Sequence, residues 1–426
     1  MYISLNLLKD FVDIDLDPQE LGRLLTLKTA ELEGIENQAA SFENMVSGKI
    51  ISLEKHPDAD SLQVAKVDVG NEALQIVCGG SNLREGMSVA ITKIGSKVKW
   101  HGEGELITLS KAKVRGVESH GMIAAGVEIG IEDPTAGPKE ILDLSALEPK
   151  PGTPLSELFH KTDYILEIDN KSLTHRPDLW GHYGIAREVA AITDKKLKIP
   201  KPQPKIPASG EQIKVTIQDD ELCPRFCALI IKNVKVTASP DWLKARLQAI
   251  GHGTHGNIVD VTNYVMAEIG QPMHAFDHKK ITGGLVIRTA KQGETLKTLD
   301  GKEHKLSAKT GVVADEKKAL SVAGVIGGGN SEIDETTTEI VLEAANWHPT
   351  RVRRTSIELG TRTDAVQRFE KSLDPNLTDQ AILRAAELIL QICPGAEIAG
   401  PITTAGTFKN KELKIELNTE TARRKI

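Results

Sequence analysis

The spacing of apolar residues changes along the chain and predicts different elements. Leu21, Leu24 and Leu25 follow the helix-starting pair Asp17-Pro18 and predict a helix. From about residue 43, short apolar runs separated by glycine-rich turns predict strands at residues 64–69, 74–77, 89–94 and 106–114. Five or so short strands in about 110 residues indicate a small β-barrel.

The second half of the chain mixes helical and strand patterns. Helical spacing at residues 185–192 is followed by 199–207, where prolines at every second or third position favour an extended linker. Beyond it we predict a mixed α/β block. Its predicted elements are a helix after Ser239-Pro240, a hairpin at Asp300-Gly301, strands at Val322–Ile326 and Ile340–Leu342, and a helix from about Thr378 to Ile392.

Composition and charge narrow the class of protein. The chain has 426 residues and a net charge of −6, which excludes a general polycation, so nucleic-acid binding would have to come from local basic patches. No apolar run of about 18 residues is present, and the first residues lack a signal-peptide pattern. Four cysteines in a chain of this length do not make a disulfide framework. We therefore expect a cytoplasmic protein with no membrane partner and no zinc.

Six basic residues cluster in the predicted barrel. Period-two spacing puts the last three on one face of a strand, where they could bind phosphates. The alternative is an ordinary solvated strand face. The six residues are Lys93, Lys97, Lys99, Lys111, Lys113 and Arg115.

Three motifs give this region a family resemblance. The segments 56–62 (HPDADSL), 77–82 (VCGGSN) and 115–122 (RGVESHGM) resemble, in this order, the tRNA-binding OB-fold module of several aminoacyl-tRNA synthetases. The resemblance implies that the six basic residues and Ser119 contact RNA. It also implies that Cys78 packs in the core and that His56 shapes a turn.

Further motifs extend the resemblance from Met1 to the last residue. In order and spacing they are similar to the β subunit of bacterial phenylalanyl-tRNA synthetase. They are the segments 170–178 (NKSLTHRPD), 258–265 (IVDVTNYV), 270–277 (GQPMHAFD), 341–344 (VLEA) and 363–370 (TDAVQRFE). Two departures are the loop 251–256 (GHGTHG) and the length, which suggests the N-terminal part of a longer subunit.

The resemblance implies a multidomain α+β fold: a small winged-helix-like domain with an inserted OB-fold barrel, then a mixed α/β editing domain of two packed subdomains. The expected boundaries are 1–39 plus 152–198 for the small domain, 40–151 for the barrel, 199–210 for the linker, 211–400 for the editing domain and 401–426 for the start of a truncated domain. It also implies partners, namely tRNA(Phe) and the α subunit in an assembly of two α and two β chains, and no DNA. ATP and Mg²⁺ would serve the whole synthetase, with no cofactor or metal in this part.

The activity that the resemblance implies is hydrolysis of mischarged tyrosyl-tRNA. Tyrosine differs from phenylalanine by a single hydroxyl group. An apolar pocket rejects an added hydroxyl only weakly, whereas buried polar groups left unpaired by phenylalanine discriminate well. By resemblance, Glu343 at the end of its strand accepts the tyrosine hydroxyl, with His274 beside it. Gly324 leaves room for the ring and Ala365 forms a small wall.

The resemblance also assigns Thr262 and Asn263 to the amino acid's polar end or to the attacking water. Each residue has a plainer interpretation from sequence alone. Glu343 could be an exposed strand-end acid, His274 a turn histidine, Asn263 a helix cap and Gly324 a bulge glycine. No Ser-His nucleophile pair is evident, so we expect a positioned water assisted by a ribose hydroxyl of the tRNA.

Other assignments stay open. Five arginines could guide the tRNA end, or they could pair with Glu358, Asp364 and Glu370. A non-catalytic tRNA-binding scaffold is an alternative function, and a metallohydrolase using His252, His255 and His274 is a weaker one because no acidic ligand follows at a standard spacing. The five arginines are Arg351, Arg353, Arg354, Arg362 and Arg368.

Overall fold

A computed structural model describes residues 1–131, 136–137, 139–410, 412 and 414–425. Strands of the first 168 residues are β1 (Tyr2–Ser4), β2 (Leu32–Asn37), β3 (Met45–Lys55), β4 (Gln63–Asp68), β5 (Ala73–Cys78), β6 (Ser88–Thr92), β7 (Lys97–Lys99), β8 (Leu106–Thr108), β9 (Ala112–Val114), β10 (Val117–Ser119), β11 (Met122–Ile123) and β12 (Tyr164–Ile168). Later strands are β13 (Val215–Ile217), β14 (Arg225–Lys232), β15 (Met273–Asp277), β16 (Leu285–Thr289), β17 (Thr295–Lys297), β18 (Glu303–Lys305), β19 (Gly311–Ala314), β20 (Ala319–Val322), β21 (Ile326–Gly327), β22 (Glu339–Asn346), β23 (Glu397–Ile398) and β24 (Thr403–Ala405). The α-helices are α1 (Leu5–Lys9), α2 (Pro18–Lys28), α3 (Leu155–Leu158), α4 (His182–Thr193), α5 (Asp241–Ala249), α6 (Asn257–Ile269), α7 (Pro349–Leu359), α8 (Asp364–Phe369), α9 (Leu377–Ile392) and α10 (Thr419–Lys425).

Residue contacts divide the chain into two compact units. The barrel unit contains residues 2–6 and 33–167, and the two-sheet unit contains residue 1 together with residues 7–32 and 168–426. The proline-rich residues 199–207 form neither helix nor strand. The domain boundaries expected from the sequence stay predictions.

The barrel unit is built around a five-stranded sheet in the order β11-β6-β3-β4-β5. Alternate residues such as Val67, Ile76 and Ile91 fill its interior, because successive side chains on a strand point to opposite faces. The sheet nearly closes where the His120 amide donates to the Gln75 carbonyl at 2.9 Å. The predicted small barrel is therefore confirmed.

One predicted strand of the barrel unit is wrong. Residues 106–114 form two separate strands, because each half has its own partner: β8 pairs with β7, and β9 pairs with β10. Between them the Leu109 amide donates to the Ser96 carbonyl at 2.8 Å, which takes the chain out of line.

The two-sheet unit contains two five-stranded sheets. The first has the order β13-β16-β19-β20-β21, and the second has the order β15-β22-β14-β23 with β24 also paired to β14. An apolar core lies between them and includes Val341 and Ala345 of β22. Helix α9 packs against β14 and β22, and α6 packs against α9. The second sheet is thus covered on both faces, which explains its nearly continuous apolar strands.

The sequence predicted several of these elements well and missed others. Helix α9 and the β17–β18 hairpin are confirmed. The predicted strand Val322–Ile326 is wrong, because β20 ends at Val322 and Gly324 adopts φ +69° in a turn before β21. Strand β24 lies within the predicted next domain, residues 401–426, yet pairs with β14; residues 411, 413 and 426 lie outside the described residues.

A buried ion pair joins the two helices behind the second sheet. Glu268 of α6 is 2% exposed and accepts two hydrogen bonds of 2.8 Å from Arg384 of α9. Glu268→Gln should lower the free energy of unfolding by about 3 kcal/mol, because it leaves a guanidinium without its buried partner. Chemical denaturation of the purified chain measures this change.

The matched control is Glu387→Gln. Glu387 contacts the same arginine at 2.6 Å but is 35% exposed, so its loss should cost about 1 kcal/mol or less. Equal effects of the two substitutions would contradict the assignment of Glu268 as the buried brace.

Candidate functional site

Glu343 and His274 face each other across two neighbouring strands. His274 of β15 is directly opposite Glu343 of β22 in an antiparallel register, which sets their Cβ atoms about 5 Å apart. Both alternate with core residues, Phe276 on β15 and Val341 on β22, so both side chains point between the two sheets. Glu343 is 7% exposed and lies in the middle of β22, so the expected strand-end position is wrong.

The two side chains line a cavity of about 80 Å³. Its walls come from both sheets, from the turn between β20 and β21, and from α8. The lining residues are Pro272, Met273, His274, Ser321, Val322, Gly324, Val325, Ile326, Gly327, Glu343, Trp347, Ala365 and Phe369. The structure thus brings together four of the residues expected at the site, Glu343, His274, Gly324 and Ala365, and their roles stay predictions.

Two polar atoms in the cavity wall lack partners. Nε2 of His274 and Oε2 of Glu343 are buried and have no hydrogen-bond partner among the described residues. Burial raises the pKa of Glu343 to about 8 and lowers the pKa of His274 to about 4. Both groups are therefore mainly uncharged at pH 7, and a ligand that pairs them recovers what burial costs.

The glycines of the cavity have different reasons for being glycine. Gly324 has φ +69°, and a Cβ there would meet the Trp347 ring at 2.8 Å. The backbone conformation and the packing therefore require glycine at this position, whether or not a ligand needs the space. A Cβ on Gly327 would meet Cε1 of His274 at 2.6 Å and Leu299 at 2.8 Å. Gly327 therefore makes the space in which the imidazole lies, and the sequence analysis missed it.

Thr262 and Asn263 are not among the residues that line this cavity. Both lie on α6, where the Thr262 hydroxyl donates to the Val259 carbonyl at 2.7 Å. Asn263 is half-buried inside the helix, so it is not a helix cap. Ser321 lines the cavity but was not predicted; β20 is buried throughout, so no alternation singles it out.

The arginine cluster is mostly committed to ion pairs. Arg351 contacts Asp219 at 2.5 Å, and Arg362 contacts Glu370 at 2.9 Å. The remaining members differ in exposure. Arg368 is buried and lies 3.6 Å from Asp364, whereas Arg353 and Arg354 are exposed with no ion pair in the described part of the chain.

Some of the basic residues of the barrel unit already form ion pairs within the protein. Lys111 contacts Glu118 at 2.9 Å and Lys93 contacts Glu72 at 3.8 Å. Of the three cations expected on one strand, Lys111, Lys113 and Arg115, only Lys113 lies within strand β9. Lys111 precedes the strand, and Arg115 lies in the β9–β10 turn with φ +44°. The other cations, Lys97 and Lys99, are exposed at the two ends of β7.

Three further barrel residues have structural roles. Ser119 is buried: its hydroxyl accepts from the Val77 amide at 3.0 Å and donates to the Gly121 carbonyl at 2.9 Å, which argues against the predicted RNA contact. His56 accepts from the Asp58 amide at 3.1 Å and so shapes a turn, as predicted. Cys78 lies in the barrel core, also as predicted.

The histidine cluster of the weaker alternative, a metallohydrolase, does not form among the described residues. The one group there with suitable spacing is Glu211, His278 and Glu339, whose ligand atoms lie within 4.8 Å of one another. Lys232 already contacts both of these carboxylates, so its ammonium supplies the positive charge.

Each of the two units contains a segment that matches a known family of protein domains. Residues 45–145 match the tRNA binding domain family (tRNA_bind), and residues 222–394 match the B3/4 domain family. Phenylalanine–tRNA ligase β subunits are similar over nearly the whole chain. The chain is 41% identical to that of Protochlamydia amoebophila over 402 residues, which are 93% of this chain and 49% of the relative. It is 39% identical to that of Fusobacterium nucleatum over 423 residues, 99% of this chain and 52% of the relative.

The chain belongs to the phenylalanine–tRNA ligase β-subunit family. It spans about half the length of the curated relatives it matches. Among solved structures, an N-terminal fragment of the phenylalanyl-tRNA synthetase β subunit from Pyrococcus horikoshii matches 47% of this chain and 63% of its own, with 16% identity and a TM-score of 0.27, which is too low to bear on the fold. Within the described ranges, no helix is long and apolar enough to cross a bilayer.

The space beside His274 gives a stability prediction. Gly327→Ala should lower the free energy of unfolding by about 1–3 kcal/mol, because the added Cβ displaces the imidazole or Leu299. Denaturation measures the loss, and the NMR signals of the His274 ring should shift. Gly329→Ala is the matched control, since a Cβ there meets its nearest atom at an ordinary 3.8 Å. Identical behaviour of both variants would refute this positioning role.

The raised pKa of Glu343 gives a pH prediction. The unfolded chain releases this proton near the ordinary value of 4.5, whereas the folded chain keeps it up to about pH 8. The folded state therefore binds more protons between these values, and stability falls as the pH rises. Relative to Glu343→Gln, the wild type should lose up to about 5 kcal/mol across this window. Parallel stability–pH curves for the two proteins would show that Glu343 is ionised in the fold.

Proposed function

We propose that this chain binds tRNA(Phe) through its barrel unit and hydrolyses mischarged tyrosyl-tRNA(Phe) at the cavity containing Glu343 and His274. Family membership and the two matched domains support an assignment to a tRNA ligase subunit. The unpartnered polar atoms in the cavity carry the editing part of the proposal.

The argument for tyrosine rests on hydrogen bonds that phenylalanine cannot make. A buried polar atom without a partner costs about 1–3 kcal/mol, and a phenol hydroxyl entering the cavity removes that cost for Oε2 of Glu343 or Nε2 of His274. Phenylalanine fills the same apolar space and leaves both atoms unpaired. The cavity therefore favours the wrong amino acid, which is what an editing site requires.

The uncharged state of the site matches a hydroxyl ligand. A protonated carboxyl has both a donor and an acceptor, and a neutral imidazole has one of each. The phenol can therefore donate to one of Glu343 and His274 while it accepts from the other. A cation or a phosphate would find no complementary charge on the described lining residues.

Hydrolysis in this proposal uses water rather than a protein nucleophile. Ser321 carries a hydroxyl in the cavity wall, but it makes no hydrogen bond to His274, so a Ser-His pair is not assembled among the described residues. The chain positions the ester, and a ribose hydroxyl of the tRNA assists the attacking water. Thr262 and Asn263 stay predicted contacts for the polar end of the amino acid.

The wider assignments follow from the family. We propose the α subunit as partner, in an assembly of two α and two β chains, and the cytoplasm as location. Amino-acid activation with ATP and Mg²⁺ belongs to the α subunit in this proposal. The cavity itself offers one neutral carboxyl and one neutral imidazole, which is no ligand set for Mg²⁺, so no step here involves the metal.

Substitution of Glu343 tests the site. Glu343→Ala should reduce the hydrolysis of tyrosyl-tRNA(Phe) about 5- to 150-fold, because the phenol loses a buried partner worth about 1–3 kcal/mol. Glu343→Gln keeps a donor and an acceptor and should retain most of the activity. The measurement is the release of labelled tyrosine from mischarged tRNA, with the chain alone and together with its α subunit.

The matched control is Glu339→Gln, which changes a glutamate on the same strand outside the cavity and should leave editing unchanged. A Glu343→Ala variant that discriminates tyrosine from phenylalanine like the wild type would sink the assignment. Wild-type hydrolysis at the uncatalysed rate with tRNA binding retained would instead favour the non-catalytic scaffold.

A further inference from the structure

We propose that Trp100 is a stacking platform for an unpaired base of the bound RNA, with Lys97 and Lys99 of the preceding strand β7 as phosphate contacts. This inference rests on the proposed binding of tRNA by the barrel unit and names a contact residue outside the motifs considered so far.

The platform belongs to a two-stranded ribbon with a mixed outer face. In the β7–β8 pair, Lys97 is opposite Thr108 and Lys99 is opposite Leu106. Val98, between the two lysines, is fully buried, so the alternation turns Lys97 and Lys99 outward together with their partners. Two cations and one apolar side chain thus share an exposed surface.

Trp100 follows β7 directly. The backbone of Lys99 is extended (φ −93°, ψ 116°), so the alternation puts the indole on the other face of the ribbon, with Val98 and its partner Ile107. Trp100 is 52% exposed and Ile107 is 41% exposed, although the barrel unit buries most of its large apolar residues. The ring touches His101 edge-on, with centroids 5.2 Å apart at 70°. An exposed indole that shares a face with another exposed apolar residue forms a patch, which indicates binding more than a single scattered residue does.

The backbone that carries Trp100 is held in place. His101 has φ +54° and Gly102 has φ +80°, so the chain turns sharply after the tryptophan. The His101 amide donates to Oε1 of Glu128 at 3.3 Å, and a Cβ on Gly102 would meet Val127 at 2.9 Å. The turn is therefore anchored to the rest of the barrel unit. Because the backbone that carries the indole is already fixed, binding costs little further conformational entropy there.

The positive charge of the β7–β8 ribbon favours RNA over a protein as the binding partner. Lys97 and Lys99 are exposed and make no ion pair among the described residues. The cores of protein interfaces are depleted in lysine, whereas RNA recognition combines aromatic faces for the bases with cations for the phosphates. Duplex RNA hides its base faces, so the occupant is an unpaired or splayed base.

The test compares Trp100→Ala, Trp100→Phe and Lys97→Gln/Lys99→Gln for binding of a tRNA(Phe) transcript over a range of salt concentrations. Trp100→Ala should weaken binding about 5- to 100-fold without changing the salt dependence, and Trp100→Phe should stay within about threefold of wild type. The lysine variant should flatten the slope of log affinity against log salt by about 0.7–0.9 per lost phosphate contact. A single-stranded oligonucleotide should compete better than a duplex of equal length.

Leu147→Ala is the matched control, since Leu147 is an exposed apolar residue of the same unit outside the ribbon. Circular dichroism confirms that each variant folds. Unchanged affinity of Trp100→Ala, with weakened lysine variants, would overturn the platform and leave tRNA binding intact. Loss of binding to the α subunit with full RNA affinity would also overturn it, and would mark a protein contact. Failure of the wild type to bind tRNA would instead overturn the proposed function beneath it.

Discussion

The burial of two polar atoms without partners is the constraint on which the site depends. Oε2 of Glu343 and Nε2 of His274 lie between two β-sheets, where no protein group among the described residues forms a hydrogen bond with them. Such groups destabilise a fold, so the surrounding core has to over-determine their positions. The apolar layer between the sheets does this, because Val341 and Ala345 anchor β22 on both sides of the glutamate.

Strand register turns this constraint into geometry. Pairing of β15 with β22 places His274 opposite Glu343, and a slip of one residue would send one of them to the face covered by α9. Pairing of β22 with β14 along its whole length fixes the face of the sheet on which Glu343 lies. The absent side chain of Gly327 then gives the imidazole its place. Precision at the site comes from backbone pairing, and the loops add little to it.

The sequence predicts most where a pattern has one physical cause. Alternation in the barrel strands follows from one buried face, and the helix α9 follows from a long amphipathic stripe, so both could be predicted. Strand β22 is buried on both faces and reads as one apolar run, so its length and the central position of Glu343 were missed. The resemblance supplied the cavity residues Glu343 and His274, but it could not reveal that the Thr262 hydroxyl and the Ser119 hydroxyl are already used inside the protein.

The two proposed binding surfaces, the lysines of the barrel unit and the cavity between the two sheets, depend on different physical interactions. The barrel unit presents exposed lysines, so the RNA binding that we propose for it should weaken as the salt concentration rises and counterions compete for the phosphates. The cavity presents uncharged polar groups, whose hydrogen bonds to the proposed tyrosine hydroxyl would be nearly independent of ionic strength. An ionised Glu343 would need a cation in the cavity wall, and the described lining residues include none. Under the proposed function, selectivity for tyrosine would come from hydrogen bonds to uncharged groups, and it would persist at salt concentrations that already weaken the binding of RNA.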